Sequence, residues 1–130
     1  MIGYATFGVK DRDASVKFFE AVLAPLGYQK FYDDVWAGFA PGGNPAGPGT
    51  IWVGAPYDGN EAKPSNGAMI GFAAPDRAAV RAFHEAALAN GGTCEGPPGI
   101  REAYGPDAYL AYVRDPVGNK MSAACNAPED

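Results

Sequence analysis

YATFGVKDRDASVKFFEAVLAPLG, residues 4–27, and MIGFAAPDRAAVRAFHEAALANGG, residues 69–92, decide how the rest of this chain is read. Laid over each other with a shift of 65 and no gaps, they are identical at ten of 24 positions. Phe7 pairs with Phe72, Asp11 with Asp76, Arg12 with Arg77, Phe18 with Phe83, Glu20 with Glu85 and Gly27 with Gly92. Alanine and leucine account for the remainder. Two copies indicate a duplicated unit and not a solenoid array.

Each copy opens with a short apolar run bounded by turn signals, residues 4–9 and 69–74, which reads as a strand. A helix follows. In the first copy Asp11 or Asp13 is placed to cap it, and Val16, Phe19, Val22, Leu23 and Leu26 form one apolar face. Pro25 and Gly27 stop it. In the second, Asp76 is the cap, Val80, Phe83, Ala87 and Leu88 the apolar face, and Asn90-Gly91-Gly92 the end. Further strands are expected at 28–33, 35–40 and 50–55, then at 93–96, 107–114 and 119–125. PGGNPAGPG (41–49) is a loop by composition, and PYDGNEAKPSNG (56–67) a polar linker. The chain is therefore read as one α+β domain over residues 1–130. It comprises two tandem βαβββ modules, about 1–57 and 67–126, forming a curved mixed sheet with helices on its convex face.

Composition narrows the function. The chain has 130 residues, a net charge of -5 and ten scattered basic residues. That excludes a phosphate-backbone binder, so no nucleic acid is expected. No apolar stretch approaches the roughly 20 residues of a membrane span, and the start, MIGYATFGVK, has no basic leader; a cytoplasmic protein is expected. Cys94 and Cys125 follow no metal spacing and have no evident activating neighbour, so idle reduced thiols are expected. His84 is the sole histidine and reads as a structural group on the second helix, facing away from the open side of the sheet. No Ser-His-Asp or Cys-His arrangement can be assembled around it, and no catalytic residue is assigned.

The two aligned segments, together with YLAYVRDPVGNKMSA (109–123), resemble the glyoxalase / bleomycin-resistance protein / extradiol dioxygenase superfamily, the vicinal oxygen chelate proteins. The Asp-Pro-x-Gly-Asn turn at 115–119 is the most specific short piece. The resemblance implies a concave sheet face that holds a divalent metal through His, Gln or Glu on the first and last strand of each half. Those positions fall here at Tyr4, Met69, Ser122 and either Trp52 or Val53. None is an ordinary ligand for a hard divalent metal, so neither a metal nor another cofactor is expected.

Strand alternation carries Phe7, Val9, Ile70 and Phe72 under the helices if Tyr4, Thr6, Gly8, Met69, Gly71, Ala73, Ser122 and Ala124 face the concavity. The ligand-binding candidates are Tyr4, Trp52, Met69, Arg101, Tyr104, Tyr109 and Ser122. Aromatic and thioether groups supply apolar contact, and Arg101 biases the site toward anionic or oxygen-rich small molecules. An apolar concave floor also implies a homodimer. Three readings stay open: a metal-free small-molecule binding protein, a glyoxalase-like lyase, isomerase or dioxygenase, and a degenerate interaction module.

Overall fold

The computed structural model describes residues 1–129. The first half runs β1 (Tyr4–Gly8), α1 (Arg12–Leu23), β2 (Tyr28–Asp33), β3 (Ala37–Pro41) and β4 (Thr50–Gly54). The second repeats the order as β5 (Ile70–Ala73), α2 (Arg77–Ala89), β6 (Thr93–Ile100), β7 (Tyr109–Arg114) and β8 (Lys120–Cys125). Each half makes a four-stranded mixed sheet, ordered β1-β4-β3-β2 and β5-β8-β7-β6. β1 runs parallel to β4 and β5 parallel to β8, and the other pairings are antiparallel. The fold is α+β, with the βαβββ unit used twice.

The helices start where the aspartates predict. Asp11 accepts from Ala14 N–H at 3.2 Å and Asp76 from Ala79 N–H at 2.8 Å. Each cap satisfies one donor that the first helical turn would leave unpaired, worth about 1 kcal/mol. Asp13 lies inside the first turn of α1 and forms no cap. The helix α1 ends at Leu23 and tightens into a 3₁₀ turn over Ala24–Leu26, which Gly27 closes at φ 88°.

Both helices bury their apolar stripes against one shared core. Phe18, Phe19, Val22 and Leu23 of α1 and Val80, Phe83 and Ala87 of α2 are sealed from solvent. Phe7 and Phe72, paired by the repeat, both lie beneath them at 5% exposure. A buried Phe or Leu contributes on the order of 1.5–3 kcal/mol, so this cluster carries most of the fold's stability. Leu88 departs from expectation. It is 47% exposed, because one step beyond Ala87 turns it about 100° off the buried stripe. The strand β6 is longer than expected. It runs on through Pro97 and Pro98 with two register shifts against β7, which an edge strand tolerates because its outer N–H groups need no partner.

β1 and β5 are the facing edges of the two sheets and share no ladder. The turn at 115–119 joins the halves. Asp115, 3% exposed, accepts the N–H groups of Val117, Gly118 and Asn119 at 3.1, 2.9 and 2.7 Å. Asn119 Nδ2 donates to Asp115 at 2.9 Å and to the Gly8 carbonyl at the end of β1 at 3.0 Å. Burial pushes the Asp115 carboxyl above the usual carboxylate range, and these hydrogen bonds pull it back. Gly118 takes φ 110°, a left-handed conformation that glycine adopts without a Cβ penalty.

Candidate ligand-binding face

The first sheet carries an aromatic cluster on the side away from the helices. Ile51 and Val53 of β4 point into the core at 3% and 0% exposure, so Trp52 between them points out. Phe31 and Tyr32 meet its indole edge-on, with centroids 5.4 and 6.0 Å away. The rings can sit there because the neighbouring residue on β3 is Gly38. A Cβ at that position would come within 2.7 Å of Phe31 and 2.8 Å of Trp52. Trp36 lies over Gly54 in the same way, 2.4 Å from where a Cβ would be. Thr6, Gly8, Trp36, Trp52, Pro56 and Tyr57 enclose an open cavity of about 450 Å³.

The second sheet carries cations on the corresponding face. Tyr112 of β7 pairs with Ser122 of β8 and with Gly96 of β6. Arg101 and Lys120 both stand over the Tyr112 ring, 5.6 Å from its centroid. Gly96 and Gly99 leave room for the Arg101 guanidinium, which donates to the Pro97 carbonyl at 2.6 Å. A cleft of about 270 Å³ joins the two faces. Thr6 and Gly8 wall it as they wall the aromatic cavity, and it continues to Met69, Asn119, Lys63 and Lys120.

The structure brings only some of the sequence candidates together. Trp52 and Met69 line the two connected cavities. Arg101 reaches the same face through Tyr112. The register resolves the Trp52/Val53 alternative. Thr6 lies opposite Trp52 as Gly71 lies opposite Ser122, and Val53 belongs to the core. Tyr4 starts the open-face row of β1 and is 68% exposed, yet Thr6 and Gly8 make the cavity wall in its place. Ser122 faces the same way but is only 2% exposed, with its Oγ 3.1 Å from where a Gly71 side chain would begin.

Two candidates lie elsewhere. Tyr104 borders a separate recess with Gly105, Pro106, Asp107, Ala108 and Asn126. Tyr109 is on the helix side. Arg77 and Arg81 of α2 stand 5.2 and 5.8 Å from its ring centroid, and its hydroxyl accepts from Arg81 at 3.4 Å. Alternation along β7 explains the correction. Ala111 and Val113 are core residues, so Tyr109 shares their face, and Tyr112 takes the open one. Sequence reasoning passed over Trp36, Lys120 and Lys63, and left Tyr112, a tyrosine of the same segment as Tyr104 and Tyr109, out of the site candidates. Strand parity sets Tyr112 on the opposite face from Tyr109, but both faces carry apolar residues and parity alone does not say which is the open one. The glycines at 38, 54 and 96 were a usable sign of side chains crossing a neighbouring strand.

His84 is half-buried on α2, and its Nε2 lies 3.2 Å from Cys94 Sγ on the edge strand β6. Cys94 therefore has an imidazole neighbour, which its place in the sequence did not reveal. Burial lowers the His84 pKa. The pair sits behind the second sheet, away from the cavities.

The four positions on β1, β4 and β8 and just before β5 present a phenol (Tyr4), an indole (Trp52), a hydroxyl (Ser122) and a thioether (Met69). Among the described residues no three His, Cys, Asp or Glu side chains converge as a metal site. This donor set does not fit a divalent metal, which takes imidazole, thiolate or carboxylate ligands.

The duplicated βαβββ architecture with an open face between its halves defines a class that known structures share. A crystal structure of a glyoxalase/bleomycin resistance protein from Albidiferax ferrireducens T118 is 40% identical, covering 95% of this chain and 97% of that one at a TM-score of 0.82. The chain belongs to the glyoxalase/bleomycin resistance protein superfamily. A glyoxalase-related enzyme from Fulvimarina pelagi (17% identity, 95% and 86% coverage, TM-score 0.72) shares the fold. So does the fosfomycin resistance protein FosX from Mesorhizobium loti (18%, 98% and 92%, 0.65). No protein-family model matches the chain, and no curated protein matches it. No helix among the described residues is long and apolar enough to cross a membrane.

Proposed function

We propose that this protein is a metal-free small-molecule binding protein that holds an organic ligand on the open face between its two sheets. One observation carries the reading: at the same four positions the chain presents Tyr4, Trp52, Met69 and Ser122, while an aromatic cavity of about 450 Å³ opens beside Trp52. A cavity of that size, apolar with a few polar groups at its edge, suits a small organic molecule. A second copy of the chain completes the site in this reading. Tyr4 at 68%, Ile2 at 72% and Met69 at 44% exposure leave apolar surface near the open face for a two-fold partner to cover. A cytoplasmic setting is consistent with the unpaired thiols of Cys94 and Cys125.

Elemental analysis of purified protein tests the metal-free reading, with less than about 0.1 equivalents of zinc, nickel, manganese or iron expected, since firm binding takes three or four good ligands. About one equivalent per chain, lost in the Tyr4→Phe, Ser122→Ala double variant, would make the enzymatic reading the better one. Light scattering tests the pairing. A mass near twice the 13.5 kDa of one chain is expected, and a monomer at micromolar concentration counts against it.

A further inference from the structure

The chain carries more carboxylates than cations, fifteen against ten, so a lysine or arginine has partners available. Six take one: Lys10, Arg12, Lys30, Arg77, Arg81 and Arg114. Among the described residues Lys17, Lys63, Arg101 and Lys120 form no ion pair. Lys17 is on α1. The other three gather at the second half's side of the open face. Lys63 and Lys120 wall the cleft that meets the aromatic cavity at Thr6 and Gly8, and Arg101 shares the Tyr112 ring with Lys120. Glu95 is held by Arg114 at 2.6 Å; that hydrogen bond, with a smaller contribution from the charge of Lys120, holds its carboxyl below the usual range.

Like charges held near one another raise the energy of an empty site, and the π-face of Tyr112 offsets only part of that cost. An anion removes the rest. The aromatic end has the opposite need. Trp52, Trp36 and Tyr57 border open volume with ring faces and edges, which an apolar ring fills best.

We propose that the groove takes an aromatic organic acid, its ring system against Trp52 and Trp36 and its anionic group at Lys120, Lys63 and Arg101. This rests on the binding reading above and names the ligand class for the same face. The aromatic end is set by the first half and the cationic end by Arg101 and Lys120 of the second with Lys63 of the linker, and Thr6 and Gly8 form the floor between them. A ligand with a ring and no charge satisfies one half alone, as does an anion without a ring.

Isothermal titration calorimetry with 2-naphthoate and with its neutral isostere 2-naphthamide tests the claim on the unaltered protein. The acid is expected to bind about tenfold or more tightly than the amide, equivalent to about 1.4 kcal/mol. That preference should shrink as salt screens the charges. Lys120→Met is expected to bring the acid down to the affinity of the amide and leave the amide unchanged. Arg101→Met should act in the same direction. Trp52→Leu should weaken both probes. Equal affinity of the unaltered protein for acid and amide overturns the ligand class and leaves the binding face standing. Failure of both probes to bind at millimolar concentration overturns the class and the aromatic cavity as a binding site together. An acid preference that Lys120→Met leaves unchanged, with the variant's melting curve also unchanged, would sink the assignment of the headgroup.

Discussion

Across the first sheet one row of residues on the open face runs Thr6, Trp52, Gly38, Tyr32; across the second the matching row runs Gly71, Ser122, Tyr112, Gly96. Bulk alternates along both rows, but in opposite senses. The first places rings on either side of a glycine. The second places one ring between a glycine and a serine. In the first half, rings from neighbouring strands fill the space over Gly38. In the second, a guanidinium enters the space beside Gly96. The strand order and the directions of pairing are the same, so the difference lies in the side chains. A pleated surface can be crossed by a large group wherever its neighbour is small, and the identity of that group sets the local chemistry.

The comparison can be broken most forcefully at its glycines. Gly38→Ala would push a methyl group to 2.7–2.8 Å from two packed aromatic rings, and is expected to cost about 1–3 kcal/mol of stability. Gly96→Ala meets Tyr112 at 3.0 Å and the mobile end of Arg101 at 3.2 Å, and should cost less than about 1 kcal/mol, because the side chain can move aside. Urea unfolding of both variants reads the contrast. Equal losses would show that the rings of the first half are as free to shift as the arginine of the second.

Asn119 sharpens the comparison next. The position that the 65-residue shift pairs with it is Gly54, so only the second half makes this side-chain hydrogen bond to the other. Asn119→Ala removes two hydrogen bonds and leaves the buried Asp115 carboxylate short of a donor. About 1–2 kcal/mol is expected from the loss. Hydrogen exchange should place the increased opening at the Gly8 end of β1 and in the 115–119 turn. A uniform loss of protection over the whole chain would contradict a local joint.

The smallest expected effect concerns pH. The repeat aligns His84 with Phe19, which is fully buried, so a titrating group occurs on this helix face only in the second half. Burial lowers the His84 pKa below its ordinary value of about 6.5. The unfolded chain then binds the proton more readily than the folded one. Stability is at its full value above about pH 6.5 and falls as pH drops toward the folded pKa. His84→Phe should flatten that decline in a series of melting curves between about pH 7 and pH 5. An unchanged slope would assign the dependence to other groups.

Much of the architecture was legible because it is written locally. The helix stripes follow a 3.6-residue period, Asp11 and Asp76 sit one residue before their helices, and the duplication fixes the order of strands twice over. The open face was legible only in part. Met69 could be assigned through the repeat, as the partner of Tyr4, and Trp52 only through the resemblance, as an alternative to Val53. Tyr109 could not, because a strand expected to begin at 107 reveals its two faces only once its partners are known; Ala111 and Val113 then pull Tyr109 to the helices. Lys120 stands out through the pairing of other cations, a property of the whole molecule. The same holds for His84 and Cys94, ten residues apart and brought together where a helix crosses an edge strand.

The facing edges of β1 and β5 have a mechanical consequence. A continuous ladder would make eight strands into one plate, stiff along its hydrogen-bond rows. This molecule has instead two plates and a crease, with Asn119 as a stitch at one end. The floor residues Thr6 and Gly8 lie beside that crease, so a small change in the angle between the plates becomes a change in the distance from the tryptophans to the lysines. The length of the groove is thus fixed by the angle at which one shared core holds the two plates.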